Sequence, residues 1–494
     1  MNAKALPVVP LAPDPIRPDV GREAVAVRLK IDPVGPEDSP EIGLVTLGCD
    51  KNTVDSEKML AALVGHGARV SSDLKGSDVV VVNTCGFIEA AKEQSIETIL
   101  EACRLKEKGR IRAVVAVGCM VQRYKDELRS EIPEVDLFLG LNEMTSLVPA
   151  LREGGFLPEL EEFVPVMERP MRILATETPH TSFLKISEGC DHTCSFCAIP
   201  SFRGRHRSAP LPELVAEAKA LAQEGVKELN IISQDTTWYG RDVKRRDPAA
   251  ALLPDLLRAL LRETEVPWFR LFYMYPSGIT HELMDLMVAE DSLLPYLDMP
   301  IQHGSDRVLK AMRRPERQAL IRKRVAHLRD AIPGLTLRTT VIVGFPGETD
   351  DDFRDLLDFL REIRFDRVGA FTYSVEEGTP AAEMLDQLPA SLMRERHERL
   401  MDVQREISAE RNAEFVGRRL VALVDEIVDN LGPLGENDMA GRPVGVARTE
   451  SQAIDVDGVT YVHPHEGLTP GEFVTVEIED SQDYDLIGRV VEAS

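Results

Sequence analysis

The chain has 494 residues with 58 basic against 83 acidic side chains, a formal net charge of −25, and 43% hydrophobic residues. That composition is ordinary for a globular protein with room for about three domains, and its negative field opposes binding of nucleic acid through the phosphates. No segment shows a basic stretch followed by an apolar secretory core, and no apolar run approaches the ~20 residues of a membrane span, so a cytoplasmic protein without membrane contact is expected.

Residues 1–40 carry eight prolines and no sustained amphipathic period, which predicts an extended or disordered tail outside the fold. From Ile42 short apolar runs alternate with helical stretches. Ile42–Leu47 precedes a helix over Ser56–Val64, Val79–Val82 precedes Ile88–Leu105, and Ala113–Val117 precedes Gln122–Arg129. The alternation predicts an α/β unit over 41–165, a doubly wound parallel sheet covered by helices. Each of the three strands ends in a cysteine: Cys49, Cys85 and Cys119. In an open parallel sheet ligands bind beyond the carboxyl ends of the strands, so these thiols can meet at one site. The competing reading is three small buried hydrophobes, as free cysteine often is. Lys51 and Asn52 would orient sulfur or substrate beside Cys49, or belong to a solvated loop. Cys103, inside the helical run Glu97–Glu107, is expected to be an ordinary packed residue.

The second alternating region, over 176–412, predicts strands at Phe183–Ser187, Glu228–Ser233, Phe269–Met274, Leu297–Ile301, Leu337–Val343 and Val368–Tyr373, with amphipathic helices between them. Six strand–helix units predict a partial (β/α)6 barrel whose active face lies at the carboxyl ends of the strands. Directly after the first strand comes Glu188-Gly189-Cys190-Asp191-His192-Thr193-Cys194-Ser195-Phe196-Cys197. Three thiolates in one tight loop can hold three corners of a four-iron cluster and leave one iron open for chemistry. A structural zinc site would need a fourth ligand, for which His192 is the local candidate. With seven cysteines in all, an odd count, metal ligation is expected over a disulfide framework. Asp350-Asp351-Asp352 opens a helix, where acids complement the dipole, and no catalytic role is expected for it.

After the charged helix Met393–Glu414 the hydrophobic period switches to two, through Leu420–Val428, Val444–Arg448, Ala453–Val462 and Phe473–Ile478. A small antiparallel β-barrel of about five strands over 413–494 is predicted. From Gly417 onward this module has five arginines, no lysine and sixteen carboxylates, and so lacks the basic stripe of a nucleic-acid barrel.

Together these motifs resemble the methylthiotransferases, a branch of the radical S-adenosylmethionine enzymes, over essentially everything from Ile42 onward. The resemblance implies an N-terminal methylthiotransferase domain, a radical core and a C-terminal module similar to TRAM. Gly48-Cys49-Asp50-Lys51-Asn52-Thr53-Val54-Asp55-Ser56-Glu57 and Ser233-Gln234-Asp235-Thr236-Thr237-Trp238-Tyr239-Gly240 are similar to the branch that modifies an aspartate of small-subunit ribosomal protein twelve. A proline usual in that branch is Asp50 here, which is taken as tolerated variation.

By this resemblance Cys190, Cys194 and Cys197 hold a [4Fe–4S] cluster that binds S-adenosylmethionine and cleaves it to a 5′-deoxyadenosyl radical. The radical abstracts hydrogen from the β-carbon of the target aspartate. Cys49, Cys85 and Cys119 hold a second [4Fe–4S] cluster carrying the sulfur, and a second S-adenosylmethionine gives the methyl group. A sulfur donor and an electron donor are required as partners. Gln234 and Asp235, ending the second barrel strand, and Gly344 and Gly347, ending the fifth, are the implied cofactor contacts; a tight strand–helix turn explains them equally. His303, ending the fourth strand, faces the cavity or is a satisfied structural histidine. The sister branch acts on an adenosine of transfer RNA, and a non-enzymatic iron–sulfur scaffold is the remaining class. The acidic charge favours the protein substrate.

Overall fold

The structure, a computed structural model, describes residues 26–27, 33–157, 171–428, 444–463 and 467–493. Most of the tail expected over 1–40 lies outside the described residues. Its described part joins the fold, contrary to expectation: β1 (Ala26–Val27) pairs antiparallel with Thr46–Leu47, and Val34 bridges Val70. An open sheet edge with unpaired backbone groups accounts for the recruitment.

The first sheet continues with β2 (Glu41–Leu47), β3 (Arg69–Ser71), β4 (Val79–Thr84), β5 (Ala113–Gly118) and β6 (Leu137–Gly140), all mutually parallel. β4 and β5 are buried throughout, because helices cover both faces. Val79, Val81 and Val115 pack under Leu60 and Leu63 of the helix Asp50–Val64, whereas Val80, Val82 and Val114 meet Ala91, Ile99 and Met120 of helices on the other side. Cys103 is part of that second core. β3 and β6 are too short for the apolar periodicity to announce.

The central sheet consists of β7 (Thr181–Lys185), β10 (Glu228–Ile232), β11 (Trp268–Leu271), β12 (Leu293–Asp298), β13 (Thr336–Val343) and β14 (Arg367–Thr372). A short ribbon, β8 (Ser187–Glu188) with β9 (Arg207–Ser208), follows β7. The six strands run parallel in the order β14-β13-β12-β11-β10-β7, and β14 does not pair with β7, so the barrel is open. The fourth strand begins at Leu293 and not at Leu297, as the apolar run suggested. Pro300 cannot donate to a ladder and interrupts the pairing, which resumes as a bridge between Gln302 and Val341, while Met299 and Ile301 stay buried in the core.

The third sheet is a closed barrel of β15 (Arg419–Val428), β16 (Val444–Thr449), β17 (Thr460–Val462), β18 (Phe473–Ser481) and β19 (Leu486–Ala493), antiparallel apart from the β17–β19 pair. The strand expected over Ala453–Val462 shrinks to Thr460–Val462, since Asp457 accepts from the Ala453 N–H at 2.9 Å and Asp455 adopts a left-handed conformation, which turns the chain.

This small barrel closes the amino-terminal end of the open one. Arg448 bonds Glu228 at the start of β10 and Thr181 at the start of β7, the latter at 3.0 Å. Trp268 at the start of β11 meets Phe473 edge-on at 4.9 Å between ring centroids, and Tyr296 donates to Asp457 at 2.7 Å. The carboxyl ends of the strands are therefore left for the site. Among the described residues no helix is long and apolar enough to cross a membrane.

Candidate active site

A cavity of about 1580 Å³ opens between the carboxyl ends of the first sheet and those of the central barrel, and the six cysteines of the two triads line it: Cys49, Cys85, Cys119, Cys190, Cys194 and Cys197. On the N-terminal side the three turns approach so closely that only glycine fits between them. Gly48 has φ +98°, and a Cβ there would stand 2.8 Å from the Cys85 sulfur. Gly118 has φ +102°, and its Cβ would stand 2.4 Å from Asn83 Oδ1. Asn52 staples the strand ends together, donating to Leu47 O at 2.7 Å and to Thr84 O at 3.2 Å, so it is a buried tie and not part of a solvated loop. Lys51 lines the cavity with its Nζ 3.0 Å over the Tyr273 ring and 3.2 Å from Asp50.

On the barrel side the ribbon β8–β9 clamps the cysteine loop, and the Cys190 N–H donates to Gly204 O at 3.1 Å. Ser195 fastens its far end, donating from Oγ to Ala311 O at 2.8 Å and from N to Met312 O at 3.1 Å. Burial pushes the Cys85, Cys190 and Cys197 thiols up to about 12 and Cys119 to about 11. Left to themselves these sulfurs are protonated; a metal removes that penalty, because a coordinated thiol is deprotonated outright. Among the described residues no three Cys, His, Asp or Glu side chains converge on a point suited to a single metal ion. Cluster ligands need no such convergence, since each binds its own corner.

His192 does not present itself as a fourth zinc ligand. Its Nε2 is 2.7 Å from Asp235 Oδ2, and its ring stacks on Tyr275 with centroids 4.0 Å apart. Asp235 is thereby engaged in holding that wall, its other oxygen accepting from the N–H and hydroxyl of Thr237. Gln234 lines the cavity, and its buried Oε1 has no partner within the protein, as a cofactor contact would require. Gly344 and Gly347 are not brought to the cavity: Gly344 abuts Met393 and donates to Glu348 at 2.8 Å, and Gly347 donates to Asp386 O at 2.7 Å. His303 is fully buried, accepts from the Ser305 N–H at 2.8 Å and lies 3.3 Å from Glu348, which makes it structural. Asp352 caps its helix together with Thr349.

Several residues of the cavity escaped the sequence reading. Tyr273 and Gln302, beyond the ends of β11 and β12, hold left-handed backbone at φ 56° and 72°, strain of the kind that clusters at functional sites. Arg314 stacks on Tyr275 at 4.0 Å, and Arg338 pairs with Asp298 at 2.9 Å. Arg203 reaches across to Cys119 at 3.1 Å. None of these positions carries a local signal, apart from Arg203, which follows the cysteine loop in sequence.

Residues 184–360 match the radical SAM superfamily, 416–491 the TRAM domain, and 41–140 the uncharacterized protein family UPF0004. The open parallel barrel with its three-cysteine loop at the carboxyl ends defines the class: this is a radical S-adenosylmethionine enzyme. Among curated proteins the chain is 45% identical over 452 residues to ribosomal protein uS12 methylthiotransferase RimO of Anaeromyxobacter sp. (strain Fw109-5), covering 91% of this chain and 92% of that one. It is 46% identical over 450 residues to the RimO of Anaeromyxobacter sp. (strain K), with 90% and 92% covered. To that of Geobacter sulfurreducens it is 42% identical over 455 residues, with 91% and 98% covered. The chain belongs to this RimO family of methylthiotransferases. A more distant similarity in shape is to the radical S-adenosylmethionine methyltransferase TsrM from Kitasatospora setae, with 17% identity, TM-score 0.48, and 69% of this chain and 77% of that one covered. Family membership brings two [4Fe–4S] clusters and S-adenosylmethionine as cofactors, and two triads of thiols on one cavity fit that demand.

Proposed function

We propose that this protein inserts sulfur and adds a methyl group at the β-carbon of an aspartate of ribosomal protein uS12, using two molecules of S-adenosylmethionine. The observation that carries the reading is that both cysteine triads line one cavity. In this reading Cys190, Cys194 and Cys197 hold the cluster that binds S-adenosylmethionine, and Cys49, Cys85 and Cys119 hold the second. When bound, these groups supply the hydrogen-abstracting radical, the sulfur and the methyl group. The protein's own part is to position them and to exclude water. Gln234 offers its unpartnered carbonyl to the cofactor, and Phe272, Tyr273 and Tyr275 wall the space between the triads. Asp235 keeps His192 flat against Tyr275.

The chain divides in this reading into a tail over 1–40, the N-terminal methylthiotransferase domain over 41–165, the radical core over 176–412 and the TRAM-like barrel over 413–494. A ribosomal substrate supports action in the cytoplasm, and the sulfur and electron donors are further partners. The acidic C-terminal barrel disfavours transfer RNA as substrate, since RNA binding needs cationic contacts to phosphate.

The test is anaerobic. The protein is reconstituted with iron and sulfide, given S-adenosylmethionine and a low-potential reductant, and offered ribosomal protein uS12 or hypomodified transfer RNA, with mass spectrometry as readout. A methylthio gain on one aspartate is expected. A gain on adenosine would move the substrate to RNA, and no gain on either would overturn the reading.

A further inference from the structure

Arg203 belongs to the radical core by sequence, closing the short helix Ile199–Phe202 that follows the cysteine loop. Its guanidinium nonetheless lies in the N-terminal site, where the residue is 5% exposed. One nitrogen, Nη2, donates to Cys119 Sγ at 3.1 Å and to Asn52 Oδ1 at 2.8 Å. The other, Nη1, donates to Glu188 Oε1 at 2.7 Å and lies 3.8 Å from Asp55. One planar fork thus joins a residue of the radical ribbon, the tie between two N-terminal strands, and a thiol of the other triad.

The charges around it are closely matched. Asp55 and Glu188 face Arg203 and Lys185, the latter bonded to Asp55 and to Glu188 at 2.9 Å. The two carboxylates and two cations balance before any charge on sulfur is counted. A ligating Cys119 adds negative charge beside Arg203. Lys51, another cation lining the cavity, is turned onto Tyr273 and Asp50 instead. A guanidinium donates along fixed directions and keeps its charge at every accessible pH, which suits it to a buried anion better than an ammonium.

We propose that Arg203 is the charge partner of the cluster assigned to Cys49, Cys85 and Cys119, a positioning residue that raises that cluster's reduction potential and ties it to the radical loop. The proposal rests on the ligand assignment given under the proposed function. Hydrogen bonds to cluster sulfurs and nearby positive charge both favour the reduced state, so removing them makes the cluster harder to reduce. Arg203 acts through Cys119, to which its Nη2 donates.

The experiment uses the full chain, reconstituted anaerobically, as wild type, R203Q and R203K. Each is also made in a background in which Cys190, Cys194 and Cys197 are all alanine, so that any remaining signal belongs to the N-terminal triad. Iron and sulfide per chain are measured together with an EPR-monitored redox titration. R203Q is expected to lower the reduced-to-oxidised ratio of the N-terminal cluster about 10-fold at a fixed potential, to leave the radical cluster's titration unchanged, and to be partly rescued in R203K. If R203Q fails to take up iron and R203K restores it, the charge role is likewise supported. A wild-type titration in R203Q with full iron overturns the proposal, as does equal loss in R203Q and R203K. Should the alanine background alone hold no iron, the ligand assignment itself fails, which separates that failure from a failure of the Arg203 role.

Discussion

Cys85 and Cys194 stand on opposite sides of one cavity, yet their substitution is expected to have different consequences. Cys194 belongs to the loop clamped by β8 and β9, Cys85 to the turn after β4. Cys194→Ala should abolish formation of 5′-deoxyadenosine, read by chromatography of the quenched reaction. Cys85→Ala should retain that cleavage at least in part and lose sulfur insertion, read as the absence of a mass gain on the ribosomal protein. Equal loss of both activities, with iron content measured, would mean that the two sites do not separate. Their sequence signals differed in the same way. Cys190, Cys194 and Cys197 announce themselves because a single loop carries all three. Cys49, Cys85 and Cys119 are legible only once they are placed at strand ends of one sheet.

At the scale of elements the N-terminal site depends on three strand–helix turns packed without side chains between them. Gly118 shows the constraint most clearly, because a Cβ there would meet Asn83 Oδ1 at 2.4 Å and the Thr84 carbonyl at 2.7 Å, in a left-handed conformation that other residues avoid. Gly118→Ala should cost about 1–3 kcal/mol of stability through backbone strain. It should also displace Cys119, the next residue, so that iron bound per chain falls towards half while 5′-deoxyadenosine is still formed. Thermal melting and iron analysis check the two effects separately. The turn Val343–Glu348 illustrates the opposite outcome. Its glycines read equally well as a cofactor cradle or as a packed turn, and they are packed against Met393 and Asp386. The element that decides between the readings, the helix Ala390–Ala413, is distant in sequence.

For the molecule as a whole, the C-terminal barrel is the floor of the radical barrel. Glu228 is fully buried between Arg270, at 2.8 Å, and Arg448, which also binds Asp425 at 2.6 Å. Removing one partner from such a network leaves buried charge uncompensated, so Arg448→Ala should lower stability by about 3–5 kcal/mol, seen as a reduced urea midpoint. Burial alone would push the Glu228 and Asp425 carboxyls up; Arg448 outweighs it at both, aided by Arg270 and His180 respectively, and holds them below their ordinary values. Their stabilisation is therefore complete above the unfolded carboxyl range near about pH 4, and it is lost as pH falls through the lower folded values. Below that range, hydrogen exchange over 416–491 should accelerate before exchange over 41–140; simultaneous acceleration would count against this network as the acid-sensitive joint.

The sequence by itself determined the three α/β and β units, most strand positions, the two cysteine triads and the family. The units and strands follow from local periodicity and turn chemistry, Cys190, Cys194 and Cys197 from their spacing within one loop, Cys49, Cys85 and Cys119 from their repeated place at strand ends, and the family from the resemblance of the motifs taken together. Only the tertiary structure decided that both triads share one cavity, that Asp235 serves His192, that Gly344 and Gly347 stay out of the site, and that Arg203 crosses from one cysteine set to the other. The physical reason is common to all of these. Each depends on a contact between residues remote in the chain, such as Arg203 with Asn52 or Gly344 with Met393, and such contacts exist only once the elements have packed and buried groups have found their partners.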